Sequence, residues 1–354
     1  MKTAIVKTSR QSTAPGYWGG KFVLMIGISI AAILLGIGIG SVNIPPLDIL
    51  RSIGHNMFNI NLPEHITENR AAIVWNVRLP RVLLAFFAGA ALSVSGAVMQ
   101  SVLRNPLASS YTLGVSSGAS LGASFVIFLG VSLPFLPMMT LPILGFSFGL
   151  GTIFIVMGIA SRLDGQMENQ TIILTGIVFS LFINAITSLL FAMFREGTQR
   201  MVLWQMGSFS MRGGWNTLYI LVPVVVIGII FISRYKWELD IMTFGEDQAR
   251  TIGVNSTRVK WILLIGTAVL TGSTIAFVGV IGFVDLVSPH VVRKIFGSAH
   301  KVVIPMSALF GGTFMVLSDI VARTVAAPIE LPVGVVTALI GAPFFAYVYF
   351  SRRK

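Results

Sequence analysis

The chain has no cysteine. That removes disulfide frameworks, thiolate metal sites and cysteine nucleophiles from the functions open to it. Histidine is nearly as scarce. His55, His65, His290 and His300 are scattered, with no HxH or HxxxH spacing, so the sequence offers no tight site for a bare transition metal. Charge is the third shortage: 11% of the 354 residues are charged and 55% are hydrophobic. Soluble domains carry about 25% charged residues, and so few charges cannot clothe a surface of this size in water. No G-x-x-x-x-G-K-[ST] occurs, so the chain has no P-loop and any ATP hydrolysis belongs to a partner. HExxH, paired acids on one face and Ser/His partners are also absent. A membrane-embedded enzyme would therefore lack a catalytic cluster.

What is present is a succession of unbroken apolar runs, each about 20 residues long, the length a helix needs to cross a ~30 Å hydrocarbon core. Barrel strands would alternate over about 10 residues instead. The expected fold is all-α: a single polytopic membrane domain of about ten transmembrane helices, its membrane-spanning region covering residues 22–350. The runs fall at 22–42, 82–103, 111–131, 141–160, 171–194, 218–232, 261–281, 283–292, 302–322 and 332–350. The eighth is the weakest. Only 33 residues run from Trp261 to Arg293, whereas two full crossings need about 40, so it is expected to be short, tilted or broken at Pro289.

The net charge of +12 raises nucleic acid as a partner, but a bias toward one membrane face explains it better. With both termini in the cytoplasm, 17 Lys and Arg fall inside and eight outside: Arg51, Arg70, Arg78, Arg81, Arg195, Arg200, Arg212 and Arg323. Lys2, Lys7, Arg10 and Lys21 precede the first run, which is long for a signal-peptide core and has no clear A-x-A site. It reads as an uncleaved span. Residues 43–75, with Pro45-Pro46 and Leu62-Pro63-Glu64, form the longest outer segment and are expected to make a small surface cap. Glycine is abundant, with small-residue pairs such as Gly114/Gly118 and Gly118/Gly122. These either let helix backbones pack closely or leave room along a pore.

One polar island interrupts the second half. Nine of the 28 residues in 233–260 are charged. Thr243 and Glu246 have the spacing of a capping box, Asp247 adds negative charge to the first turn, and Glu246 and Arg250 are an i,i+4 pair. Gly253 suits the position after a helix end, and Asn255 or Ser256 would cap the next span. The expected product is a short helix, a turn and a long helix on the cytoplasmic face. It is either a solvated loop helix or a docking element. Phe244, Ala249 and Ile252 favour docking, since nothing in the chain obviously covers them. On the outer face, Arg78-Leu79-Pro80-Arg81 opens the second span, with Pro80 in the first turn. Arg323 ends the ninth span one turn after Asp319. These arginines either anchor at the interface or recognise carboxylates.

The run from Arg78 to Arg81, then GAALSVSGAVMQSVLRNPLAS (89–109) and LGVSSGAS (113–120), resembles the FecCD-type permeases. These are the membrane subunits of ABC importers for iron–siderophores, haem and cobalamin. GEDQARTIGV (245–254), GFVDLVSPHVVRKIFGSAHK (282–301), SDIVART (318–324) and ELPVGVVTALIGAPFF (330–345) follow in family order. The resemblance implies the type II importer permease fold, a dimer with a second permease subunit, identical or paralogous, and a multi-pass place in the cell membrane. It implies an ATP-binding cassette ATPase dimer below and an extracytoplasmic substrate-binding protein above. The chain itself would hold no cofactor, because ATP and Mg are bound by the ATPase. By position, Arg78, Arg81 and Arg323 would meet glutamates of the binding protein. Gly245, Glu246, Asp247, Ala249, Arg250, Gly253 and Val254 would form the helix that couples to the ATPase. Glu330 would cap the tenth span.

Asp285 departs from the family, whose members usually carry glycine there. An acid near a span is a functional candidate, unless it sits hydrated at the outer boundary. The leading cargo is a ferric siderophore, with cobalamin or haem as the alternative. A proton-coupled secondary transporter using Asp285 and Asp319 is the rival from another class.

Overall fold

The computed structural model describes residues 15–40, 42–210 and 214–351. Lys2, Lys7, Arg10, Arg212, Arg352, Arg353 and Lys354 of the charge argument lie outside them. The chain opens with α1 (Pro15–Gly38). The segment expected to form a small surface cap is largely helical. In α2 (Pro46–Phe58), Pro46 stands at the start and Asp48 in the first turn, and the helix ends on Asn59 in the left-handed region. Thr67 then caps α3 (Glu68–Ile73) by accepting the Arg70 amide. A single π turn at Val74–Arg78 joins α3 to α4 (Leu79–Val102), so residues 68–102 are one continuous helix. Residues 68–75, the last eight of the expected cap, are thus an extension of the second span.

The remaining elements are α5 (Val115–Leu129), α6 (Thr140–Leu163), α7 (Asn169–Met193), α8 (Thr198–Gln205), α9 (Trp215–Ser233), α10 (Lys236–Met242) and α11 (Glu246–Thr251). After them come α12 (Ser256–Val278), α13 (Val284–Phe296), α14 (His300–Thr324) and α15 (Val333–Ser351). Among the described residues there is no strand. Each of the ten expected spans falls on a helix, and seven of these helices are long and apolar enough to cross a membrane. The third span starts later than expected. Thr112 Oγ1 donates to the Ser109 carbonyl at 2.7 Å, a local bond that competes with helix, and Gly114 before α5 is left-handed. The eighth span, α13, is short rather than broken. It runs 13 residues through Pro289, about 20 Å, well under a bilayer core.

The helices differ sharply in how much of themselves they bury. Of its most apolar 18-residue window, α4 buries 83%, while α7 and α9 each bury 22%. The sequence explains this. The stretch AGAALSVSGAVMQS in α4 is small on every side, so neighbours can close around it, whereas α7 and α9 carry large aliphatic and aromatic side chains suited to lipid. α4 packs on α14, α12 and α13, touching α14 where Gly89 meets Gly311. Gly118 and Gly122 of α5 face the backbone of α6 at Phe148 and Leu144, where a Cβ would have no room. These glycines therefore serve packing.

Candidate functional site

Charged groups collect at the two ends of the bundle. At the end where α1 and α14 finish, Arg78, Arg81 and Arg323 lie together. The π turn aims Arg78 at the last turn of α1, where it donates to the carbonyls of Ile37 (2.8 Å) and Gly38 (3.1 Å), and also to Val42 (2.6 Å). The Ile37 and Gly38 carbonyls close α1 and have no partner within that helix, and a cation there complements the helix dipole. Arg81 grips Asp319 through Nε (3.1 and 3.2 Å) and Nη2 (2.9 Å), and Glu330 through Nη1 (3.0 and 3.1 Å). Arg323 Nε lies 3.4 Å from Asp319, as the i,i+4 spacing suggested, and its Nη2 donates to the Gly36 carbonyl.

The arginines therefore do not stand free in water. The side chains of Arg81 and Arg323 are 13% and 7% exposed, and the most exposed charge of the cluster is Glu330 at 40%. Partial burial pushes the Glu330 carboxyl up, but the hydrogen bonds from Arg81 and Ser210 and the charges of Arg81 and Arg323 together outweigh it and hold the group below the ordinary carboxylate range. Glu330 does not cap the tenth span. The first amides of α15, Val333 and Gly334, donate to the carbonyls of Gly207 and Met206, so that helix start is already satisfied.

At the opposite end, the polar island makes two short helices rather than one. α10 is the unexpected one, and it moves the cap. Thr243 closes α10, donating to the Asp240 carbonyl at 2.6 Å, so it is held in helical geometry and cannot serve as an N-cap. α11 instead starts after Gly245, at φ +133°. The expected Glu246–Arg250 pair is also replaced. Glu246 meets Lys260 at 2.6 Å, and Arg250 donates to Ser256 Oγ (3.2 Å) and Gln166 Oε1 (3.0 Å). The far end follows expectation. Gly253, at φ +94°, and Val254 donate to the carbonyls of Arg250 and Ala249, a Schellman closure. Asn255 then caps α12 by accepting the Arg258 amide. Ala249 is buried, Asp247 is exposed, and Phe244 and Ile252 are 75% and 67% exposed.

Several groups at this end were not singled out in the sequence. His300, 1% exposed, sits 2.6 Å from Asp240 and 2.7 Å from Ser101 Oγ, tying α10 and α4 to the start of α14. Arg293 bonds Gln100, Ser101 and the Ala97 carbonyl. A cavity of about 970 Å³ opens beside them, lined by Arg104, Asp240, Phe244, Arg293 and Lys294 among others. Lys260, the last residue of the polar island and the one before the apolar run of the seventh span, is buried in the second turn of α12. The signal for that was Asn255, whose cap starts the helix five residues earlier than the apolar run. Asp285 is 2% exposed, in the first turn of α13 against Gly96 of α4. It is an interior acid and not a hydrated boundary residue.

The described residues thus form a helical bundle of membrane-spanning character, with apolar side chains exposed beside a short helix at one end and a tied cluster of charge at the other. The chain belongs to the FecCD transport family, whose model matches residues 28–351. It is 42% identical to the uncharacterized ABC transporter permease protein YvrB of Bacillus subtilis, over 93% of this chain and 94% of that one. With the cobalamin import system permease protein BtuC of Halobacterium salinarum it shares 38% (81% and 76% covered). With the Fe(3+) dicitrate transport system permease protein FecD of Escherichia coli it shares 36% (79% and 86% covered). A solved structure described as an inward-facing conformation of a metal-chelate type ABC transporter superposes with TM-score 0.81 and 28% identity, over 96% of this chain and 100% of that one. The chain is thus a permease of a metal-chelate type ABC importer, and the proton-coupled reading falls away.

Proposed function

We propose that this permease carries a ferric siderophore or similar ferric chelate across the cell membrane, delivered by a binding protein and driven by a separate ATPase that binds ATP and Mg. The observation that carries the coupling part is the α11 region. It projects two large apolar side chains, Phe244 and Ile252, beside a helix whose far end is closed by its own backbone bonds, the pattern of a surface kept for a partner. This end faces the cytoplasm in the proposal, and both termini lie on that side. Gly245, Glu246, Asp247, Ala249, Arg250, Gly253 and Val254 form or brace the helix that takes up ATPase motion.

The binding protein docks at the other end, over Arg81, Arg323 and Glu330. Arg78 supports that surface by holding the end of α1. Because Arg81 and Arg323 flank Asp319, reversing both signs would gather four carboxylates and disturb folding together with docking. A cavity of about 390 Å³ bordered by Ser116, Ser117, Ser120, Ser180, Asn184 and Gln205 is hydrogen-bonding but uncharged, which suits an intact chelate better than a bare ion.

Cobalamin is the second reading. The cobalamin permease of Halobacterium salinarum is slightly more similar than the ferric dicitrate permease. Purifying the tagged chain in mild detergent from its native cells, with mass spectrometry of what accompanies it, tests the assembly. An ATPase, a permease copy and a binding protein are expected. Ligand titration of that binding protein decides the cargo: a ferric chelate upholds the first reading, and cobalamin replaces it with the second. Recovery of the chain alone, active in liposomes without ATP, would overturn both.

A further inference from the structure

Lys260 lies in the second turn of α12 with a side chain 0% exposed. Its ammonium donates to Glu246 Oε1 and to the Met167 carbonyl, each at 2.6 Å. Glu246 is the first residue of α11. Met167 belongs to the connection between α6 and α7, two residues before α7 begins, and is buried with φ +52°.

That connection is itself braced. The Asp164 carboxylate accepts the amides of Gln166 (3.0 Å) and Glu168 (2.6 Å), and the Met167 amide donates to the Asp164 carbonyl at 2.9 Å. The hydrogen bonds from the Glu168 and Gln166 amides hold the Asp164 carboxyl below the ordinary range. Arg250 adds a parallel strut from α11, to Gln166 on the connection and to Ser256 on α12. An ammonium with three donors can hold a carboxylate and a carbonyl at once. An apolar side chain of the same length would leave the buried Met167 carbonyl without a partner and Glu246 without a counter-charge.

We infer that Lys260 is a positioning residue that locks α11, the α6–α7 connection and the start of α12 into one body, so that displacement of the coupling helix reaches α7 directly as well as α12. This rests on the coupling role proposed above for α11. α7 is suited to receive the motion. It buries only 22% of its apolar window and packs on α5 and α6, so it can shift without repacking the α4 core. Ser180 and Asn184 of α7 border the uncharged cavity, so the same shift reshapes that cavity.

The test uses the full chain, whose lack of cysteine lets labels be placed without removing native thiols. Spin labels at Gly165→Cys and Thr251→Cys in nanodiscs, with the partner ATPase, report the distance between the connection and α11. One narrow distance, unchanged between nucleotide-free and ATP-bound states, is expected. Lys260→Met should broaden it and Lys260→Arg should keep it narrow. In proteoliposomes with ATPase and binding protein, Lys260→Met should lower uptake per ATP hydrolysed about tenfold, with Lys260→Arg recovering most of it. A distance that changes with nucleotide in the otherwise unsubstituted chain would overturn the inference. So would an uptake-to-hydrolysis ratio in Lys260→Met equal to that of the native chain. If Lys260→Met does not fold, the label distance in the unsubstituted background decides alone. Absence of ATP-driven uptake by the native complex would instead overturn the importer reading, and the label distance would still report whether the three segments form one body.

Discussion

Replacing Asp319 with Asn should be among the most damaging single changes at the end of the bundle that holds Arg81 and Arg323. The Asp319 side chain is 2% exposed and stands between two arginines that are 13% and 7% exposed. Three charge-assisted contacts from Arg81, between 2.9 and 3.2 Å, end on it. Asn keeps the shape but removes the charge and can turn an N–H toward a guanidinium N–H. Two like charges would then face each other with little water. Removing one partner of a buried pair costs about 3–5 kcal/mol. Glu330 still holds Arg81 from a half-exposed position, so the lower end, about 3 kcal/mol, applies. Thermal unfolding of the detergent-solubilised chain should therefore drop by roughly 5 °C or more.

Glu330→Gln is the control. It breaks a bond to the same arginine, but from a site 40% exposed, and should cost under about 1 kcal/mol. Asp319→Asn melting within a degree or so of the native chain would refute the reasoning. So would Glu330→Gln proving equally destabilising. The first result would mean that the cluster is held by the backbone carbonyls of α1 and not by its ion pairs; the second would mean that the half-exposed pair counts as much as the buried one.

Three further outcomes are expected. Phe244→Ser with Ile252→Ser should weaken ATPase affinity more than tenfold, since exposed apolar anchors carry about 2 kcal/mol each at an interface, while melting of the isolated chain stays unchanged; a shift in melting with affinity intact would reverse the assignment. Gly122→Val would drive a branched side chain into the Leu144 carbonyl of α6 and should destabilise by about 1–3 kcal/mol or more, read by thermal unfolding. Glu330 has a folded pKa below its ordinary value of 4.5, so its contribution is present at neutral pH and lost as pH falls below 4.5 through the folded value. Glu330→Gln should flatten that acid limb, and an unchanged limb would count against the Arg81 bond.

The positions of the apolar spans, the charge at both ends and the α11–turn–α12 region could be read from sequence because each rests on local rules. A run of apolar residues must become helix where the backbone has no water to bond. Gly253 and Asn255 close helix ends through bonds to near neighbours. Arg323 finds Asp319 because four residues are about one helical turn. The same local rules failed where another element intervened. Thr243 had the right partner spacing for a cap, but α10 ran into it. Glu246 had Arg250 one turn away, but Lys260 offered a buried site with no solvent to screen it. Glu330 stood before a helix whose first amides the end of α8 had already taken.

What tertiary structure alone decided is the meaning of the charges. Composition shows how many there are, and the spacing of the spans shows which end each one reaches. Whether an arginine at that end meets water, a carbonyl or a carboxylate depends on which helices pack beside it. The π turn before Leu79, the arrest of α1 at Gly38 and the approach of α14 to α4 are long-range facts, and they turn Arg78, Arg81 and Arg323 from surface cations into tied ones. Lys260 follows the same rule. The sequence places it beside a membrane helix, and only the packing of the α6–α7 connection against α11 makes it the bond between them.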